Sequence, residues 1–107
     1  MNLEEIITNL VLNGGEGKSK SMLAINSAQK GDFDLAEKYM KEAEEAICKA
    51  HNFQTELLQK EAAGESDMQF SLLIVHGQDH LMNAMTVKDL AKEMINIHKE
   101  LYALKNK

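Results

Sequence analysis

The sequence predicts an all-α protein, and three observations favour this fold class. The 107 residues include seven methionines and no proline, and only 5% of them are aromatic. Proline breaks helices, whereas sandwiches and barrels are rich in β-branched and aromatic residues. Apolar residues recur every three or four positions through three long segments, which is the helical period. A chain of this length suits one domain, so residues 1–107 are expected to form a single unit.

The first helix is predicted from about Leu3 to Gln29, because Ile6, Ile7 and Leu10 keep helical spacing. Gly14-Gly15-Glu16-Gly17 interrupts this pattern. Each glycine costs about 1 kcal/mol relative to alanine in a helix, so the helix is expected to bend or loosen there. Beyond it, Gly31 suits a left-handed helix end and Asp32 suits the N-cap of the next helix.

The second helix is predicted from about Phe33 to Ala63 and the third from about Met68 to Lys105, separated by Gly64-Glu65-Ser66-Asp67. Short connections between long helices imply antiparallel neighbours, so the architecture is an antiparallel three-helix bundle. The apolar stripes are broad, and the third helix is apolar on more than one side. We therefore expect a homo-oligomer.

The composition excludes several function classes. The net charge is −5, which disfavours nucleic acid and anionic lipid surfaces as partners. The longest apolar run, Leu72–Val75, is too short to cross a bilayer, so no membrane insertion is expected. The N-terminus is acidic where a signal peptide is basic, which favours a cytoplasmic protein. The single cysteine, Cys48, permits no intrachain disulfide and is expected to serve packing.

Polar residues interrupt the apolar spacing of the third helix near its start. Val87, Leu90, Met94, Ile97 and Leu101 are expected to form a buried seam, and the same spacing leads back through Asn83 and His80 to His76. Asp79 and Gln78 flank this polar group. A polar patch in a packing seam is costly unless its hydrogen bonds are satisfied. Both interpretations stay open on spacing alone: satisfied interface histidines, or a site with a chemical use.

Two chemistries fit a histidine pair spaced by four residues. A neutral imidazole is a nucleophile near pH 7, and its attack on a phosphoryl donor gives a labile phosphohistidine suited to a relay. Alternatively, His76-Gly77-Gln78-Asp79-His80 has the spacing of a zinc helix, close to the inverted zincin pattern with Asp for Glu. No third protein ligand is obvious from the sequence, and 107 residues leave little room for a substrate cleft, which disfavours zinc hydrolysis.

Other motifs point to no activity. The segment Gly15-Glu16-Gly17-Lys18-Ser19 ends like a phosphate-binding loop. That motif also requires an earlier glycine, at the position that Leu12 occupies here, and a strand before it, and the sequence has neither. Gly31–Ala36 with Tyr39 resembles part of a tetratricopeptide repeat, but there is only one copy and a stack needs about three. His51 and His98 are lone helical histidines, which we interpret as structural or solvated.

The stretch Val75-His76-Gly77-Gln78-Asp79-His80-Leu81-Met82 resembles the signature of the lactose/cellobiose-specific enzyme IIA proteins of the bacterial sugar phosphotransferase system. The resemblance covers essentially the whole chain. It includes Gly15–Ser19, Gly31–Phe33, Ala50–Thr55 and Glu61–Glu65. Asn83 departs from it mildly, since threonine is more usual at that position.

This resemblance implies a phosphoryl carrier in sugar import. His76 is expected to accept a phosphoryl group on Nε2 from the histidine-containing phosphocarrier protein and to pass it to a cysteine of the cognate enzyme IIB. Gln78 and His80 are expected to line the phosphoryl site. The family forms trimers, here a nine-helix bundle, in which Asp79 would meet its two symmetry mates and bind a shared divalent cation. Oxygen ligands favour a hard ion such as Mg²⁺.

The resemblance leaves the sugar open among cellobiose, related β-glucosides, chitobiose and lactose. The alternative function is a non-catalytic regulatory or scaffold bundle that kept this fold.

Overall fold

The computed structural model describes residues 3–64 and 72–107, and these residues form three helices. Helix α1 spans Leu3–Gln29, α2 spans Phe33–Ala62 and α3 spans Leu72–Lys105. The first two agree with the sequence prediction to within a residue. The predicted start of the third helix at Met68 lies outside the described residues.

The three helices lie side by side in a rod of 61 × 20 × 18 Å. The directions of the helices follow from two buried clusters, because α1 contributes residues to both. The first residues of α1 pack with the end of α2 and the start of α3, in a cluster of Ile6, Leu10, Ile47, Ala50, Leu57, Leu81 and Ala84. The last residues of α1 pack with the start of α2 and the second half of α3, in a cluster of Ala24, Ile25, Ala28, Ala36, Met40, Ala91 and Ile95. Helix α2 is therefore antiparallel to both α1 and α3, and the predicted three-helix bundle is confirmed.

The connection between α1 and α2 forms as its sequence predicts. Gly31 has φ of +83°, a left-handed conformation that favours glycine. The Leu35 N–H donates to Asp32 Oδ1 at 3.1 Å, so Asp32 caps α2. The Asp32 N–H donates to the Ser27 carbonyl oxygen at 2.9 Å, which closes the end of α1.

Helix α1 is continuous through Gly14-Gly15-Glu16-Gly17, as its predicted range requires, and the bend or loosening expected at these glycines stays a prediction. Packing between helices stabilises this segment. Gly14 and Gly17 are buried, and a Cβ atom on Gly14 would lie 3.3 Å from the carbonyl carbon of His80. A Cβ atom on Gly17 would collide with Cγ1 of Ile47 in α2. The absence of these side chains lets α1 lie close to both neighbours, which offsets the low helix propensity of glycine.

The predicted buried seam of α3 is wrong within one chain. Leu90 and Ile97 are 57% and 55% exposed, and Met94 and Leu101 are exposed as well. The buried positions of α3 lie on another face and are Gly77, Leu81, Ala84, Ala91 and Ile95. We call the exposed face the α3 outer stripe, and its residues are His76, Asp79, Asn83, Leu90, Met94, Ile97, Leu101 and Leu104.

The remaining sequence predictions concern single residues and the membrane. Cys48 is exposed, so its predicted packing role is wrong: it lies on the solvent side of α2 although its neighbours Ala46 and Ile47 are buried. His51 is exposed, as a solvated histidine should be, and His98 is half-buried. Within residues 3–64 and 72–107, no helix is long and apolar enough to cross a membrane.

Candidate functional site

The rings of His76 and His80 contact each other on the surface of α3. Residues four apart lie on the same face of a helix. The ring centroids are 4.6 Å apart and the ring planes meet at 73°, an edge-to-face arrangement. His76 is exposed and His80 is half-buried. The outer ring is therefore open to an incoming partner, while the inner one supports it from the side of the bundle.

The backbone of this turn lies directly on α1. Gly77 is buried, and a Cβ atom built on it would be 3.4 Å from Cβ and Cδ1 of Leu10. Gly14 allows the same close approach to the backbone of His80, and Leu81 is fully buried in the cluster below. Because small residues bring the two helices together at this level, the imidazoles stand on a firmly packed segment of α3.

Gln78 points away from the histidines. It lies about 160° around the helix axis from His76, on the side of α3 that faces α2. There the Gln54 amide donates from Nε2 to Oε1 of Gln78, and the same nitrogen lies 3.8 Å from Sδ of Met82. Within one chain the structure therefore joins His76 with His80 and joins Gln78 with Gln54. Sequence reasoning did not single out Gln54, because its half-buried position and its contact with Gln78 are visible only in the packed bundle.

Asp79 lies on the α3 outer stripe, and its side chain is exposed. No cation pairs with its carboxylate within the part of the chain that the structure describes. The same residues contain no group of three His, Cys, Asp or Glu side chains that could hold a metal ion. Among the described residues, one chain therefore brings a single carboxylate to this position.

Comparison with known proteins identifies the family. Residues 5–99 match the model of the family described as PTS system, Lactose/Cellobiose specific IIA subunit. The chain belongs to this family. It is 50% identical to the lichenan-specific phosphotransferase enzyme IIA component of Bacillus subtilis strain 168, over 92% of this chain and 89% of that protein.

Solved structures of other IIA proteins share the fold. The crystal structure of the cellobiose-specific enzyme IIA from Bacillus anthracis matches with a TM-score of 0.90 and 48% identity, over 96% of this chain and 94% of that one. The solution structure of the IIA(Chitobiose)–HPr complex, from the N,N'-diacetylchitobiose branch of the Escherichia coli phosphotransferase system, matches with a TM-score of 0.81 and 37% identity. It covers 95% of this chain and 98% of that one.

As a IIA protein, the chain is a phosphotransferase component that works through a phosphohistidine. This membership decides against the zinc-hydrolase interpretation of the His76–His80 spacing. An exposed imidazole held against a second imidazole can accept a phosphoryl group and release it again, because the nitrogen–phosphorus bond is labile. The pair on α3 therefore has the chemistry that the family requires.

Proposed function

We propose that His76 is the phosphoryl acceptor of this IIA protein. The observation that carries the proposal is the exposed His76 ring, in edge contact with His80 at 4.6 Å between centroids. His51, by comparison, is exposed on α2 without a ring partner among the described residues. His98 is half-buried beside Tyr102 at the other end of the rod.

The relay consists of two balanced transfers. In the first, the lone pair of His76 Nε2 attacks the phosphorus atom of a phosphohistidine on the donor. The donor's nitrogen–phosphorus bond breaks, and its electron pair returns to the donor ring. The donor ring changes from cationic to neutral while the His76 ring changes in the opposite sense, so the charge balances. In the second, a cysteine thiolate of enzyme IIB attacks the same phosphorus, and the electron pair returns to His76 Nε2.

Of the two neighbours expected at this site, His80 has a clear way to support the chemistry. The His80 ring restricts rotation of His76 and adds a nitrogen that can donate to a phosphoryl oxygen. The assignment of Gln78 to the lining of the phosphoryl site stays a prediction, since its amide oxygen accepts from Gln54 within one chain.

We assign the donor role to the histidine-containing phosphocarrier protein. Support comes from the complex of the E. coli chitobiose IIA protein with HPr, whose IIA chain matches 95% of this one. The transported sugar is a disaccharide of the cellobiose, β-glucoside, chitobiose or lactose type, since related IIA proteins carry the names of lichenan, lactose, chitobiose and cellobiose. We place the relay in the cytoplasm, because we expect the phosphocarrier donor there.

The α3 outer stripe supports a homotrimer, a bundle of nine helices. Leu90, Ile97 and Leu104 are 57%, 55% and 66% exposed on a face that water would otherwise cover. Spacing of four and three residues along this face is that of a coiled-coil seam. Three copies of α3 meeting along the stripe would bury these side chains and bring the three Asp79 carboxylates together.

Asp79 fits a shared divalent cation in that assembly. Its carboxylate is exposed and pairs with no described cation, and three such groups on one axis would repel each other. Oxygen ligands suit Mg²⁺. Such an ion would neutralise the three charges, and His76 transfers the phosphoryl group without it.

The test uses phosphoenolpyruvate and the general phosphotransferase proteins to phosphorylate the carrier, followed by mass measurement of the IIA chain. His76→Ala should fold normally and gain no phosphoryl mass. His80→Ala should gain it more slowly. His51→Ala, the same change at an exposed histidine of α2, should behave as the unsubstituted protein.

Acid-labile, base-stable phosphorylation that persists in His76→Ala would refute the assignment. Absence of any phosphorylation in the unsubstituted chain would favour a regulatory or scaffold bundle instead.

A further inference from the structure

A pocket of about 250 Å³ lies between the end of α1 and the end of α3, far along the rod from the histidine pair. Gln29 and Gly31 line it from the α1 side, and His98 and Lys105 line it from α3. Leu101, a member of the α3 outer stripe, also lines it, so the pocket adjoins the stripe. A chain that covers the stripe would therefore also reach the pocket.

The lining of this pocket is basic although the chain as a whole is acidic. His98 and Lys105 contribute nitrogen bases, and none of the described residues that line the pocket is a carboxylate. The whole chain has 17 Asp and Glu residues against 12 Lys and Arg. Among the described residues, neither the His98 imidazole nor the Lys105 ammonium has an ion-pair partner. The pocket can therefore receive a carboxylate from outside its own chain.

Two carboxylates lie on the opposite flank of the α3 outer stripe. Each residue advances by 100° around a helix, which places Glu93 and Glu100 on one side of Ile97. The same steps place His98 and Lys105 on the other side. Both glutamates are exposed and form no ion pair within residues 3–64 and 72–107. Glu100 and Lys105 lie about 140° apart around the helix axis, so they do not meet within one chain.

The stripe has the seven-residue period of a coiled coil. Polar and apolar members recur with this period at His76, Asn83, Leu90, Ile97 and Leu104. With these residues at the d positions of a heptad a to g, Glu93 and Glu100 occupy g positions, and His98 and Lys105 occupy e positions. In parallel helices that are in register, a g residue of one helix meets the next e residue of its neighbour. Glu93 then meets His98 of an adjacent copy, and Glu100 meets Lys105.

We propose that the pocket receives Glu100 of a second copy of this chain and pairs its carboxylate with Lys105. Glu93 of the same copy lies beside His98, whose ring can donate a hydrogen bond to it. The inference rests on the proposed trimer and adds how its copies recognise one another. Each copy gives its glutamates to one neighbour and receives those of the other, a contact that closes after three copies. Because the charges match only when the α3 helices are parallel and in register, this pairing determines which neighbour lies beside each His76.

Charge exchange between copies tests the pairing. Lys105→Glu and Glu100→Lys each turn the three attractive contacts of a trimer into repulsive ones. We expect each variant to associate about a hundredfold more weakly, because each of three contacts changes by a factor of about five. The two substitutions change the net charge in opposite directions, so a common effect cannot come from net charge. The double variant restores opposite charges and should recover most of the association.

Mixing the two single variants tests whether the pairing lies between chains. Each variant alone brings like charges together, whereas a mixed trimer brings opposite charges together at most of its contacts. The mixture should form mixed trimers at concentrations where each variant alone is dissociated. Lys99→Glu is the matched control, since Lys99 is exposed on the same helix but lies over the Phe33 ring of α2. This variant should associate as the unsubstituted protein does.

Native mass spectrometry and sedimentation velocity over a dilution series measure the trimer fraction. The pairing alone is overturned if the unsubstituted trimer tolerates Lys105→Glu and Glu100→Lys, or if the double variant is as weak as the single ones. An unsubstituted protein that sediments as a single chain would overturn the trimer and the pairing together. Neither result changes the assignment of His76, which is tested by phosphorylation.

Discussion

Replacing Ile97 with glutamate should split the proposed trimer into single chains. Ile97 lies in the middle of the apolar half of the α3 outer stripe and is 55% exposed in the single chain. If three copies of α3 meet along this stripe, the exposed half of each Ile97 side chain becomes buried. Glutamate would instead bring three carboxylates into that contact, in a chain that already carries a net charge of −5.

The expected magnitude follows from the exposure of Ile97. Full burial of an isoleucine side chain stabilises by about 1.5–3 kcal/mol, so burial of half of it contributes about 1 kcal/mol per chain. An unpaired carboxylate taken out of water costs several kcal/mol more. The three chains together lose on the order of 10 kcal/mol, and each 1.4 kcal/mol is about a tenfold change in the association constant. A trimer at micromolar chain concentration would not survive this loss.

Sedimentation velocity with native mass spectrometry is the assay, and Asn96→Glu is the matched control. Asn96 is the preceding residue, is exposed, and lines a groove with Lys92 and Lys99 on another face of α3. The added charge is the same, but it lies near two cations and away from the stripe. The unsubstituted protein and Asn96→Glu should sediment as trimers, and Ile97→Glu as a single chain. A trimer that tolerates Ile97→Glu, or an unsubstituted protein that sediments as a single chain, would refute this account of the stripe.

Three further predictions concern the proposed metal ion at Asp79, the buried core and the connection between α1 and α2. Asp79→Leu should keep the trimer and Asp79→Lys should split it, because apolar groups can replace a buried ionic cluster whereas three cations have no counter-ion. A chelator should weaken the unsubstituted trimer and leave Asp79→Leu unchanged in light scattering. Leu81→Ala should lower the free energy of unfolding by about 2–5 kcal/mol in urea titrations, since Leu81 is fully buried; Leu104→Ala, at a position 66% exposed, should cost much less under conditions that keep the chain monomeric. Gly31→Ala should cost about 1–2 kcal/mol because of its φ of +83°, and Gly31→Asn should cost less; equal losses in thermal melts would contradict the conformational explanation.

Local signals were sufficient to predict the helices. The sequence has no proline to break a helix. Gly31 and Asp32 act within a few residues, and the structure has the left-handed Gly31 and the Asp32 cap as expected. The role of the Gly14–Gly17 segment could not be predicted locally because it depends on distant residues. Glycine propensity disfavours a helix there, but close packing against His80 and Ile47 stabilises it, and only the packed bundle reveals those neighbours.

Within the candidate site, contacts inside one helix could be predicted from the sequence, whereas contacts between helices could not. The spacing of His76 and His80 follows from helical geometry, and their ring contact confirms that the two residues share a face. The partner of Gln78 is Gln54, which precedes it by 24 residues and lies on another helix. Periodicity within one segment cannot show a contact between segments, so this hydrogen bond could not be predicted, and the expected place of Gln78 in the phosphoryl site stays a prediction.

Helix α3 has two apolar sides, which explains why the seam of Leu90 and Ile97 was expected to be buried although it is exposed in the single chain. Periodicity shows that both sides are apolar but not which one faces α1 and α2. Residue size carries the missing information: the buried side has Gly77, Ala84 and Ala91, whose small side chains let helices approach closely, while the outer stripe has Leu90 and Ile97. A row of large apolar side chains that is exposed in the single chain indicates a surface that contacts another chain. His76 and Asp79 lie on that same stripe, so covering the apolar half of the stripe with further copies would bring each His76 close to a second subunit.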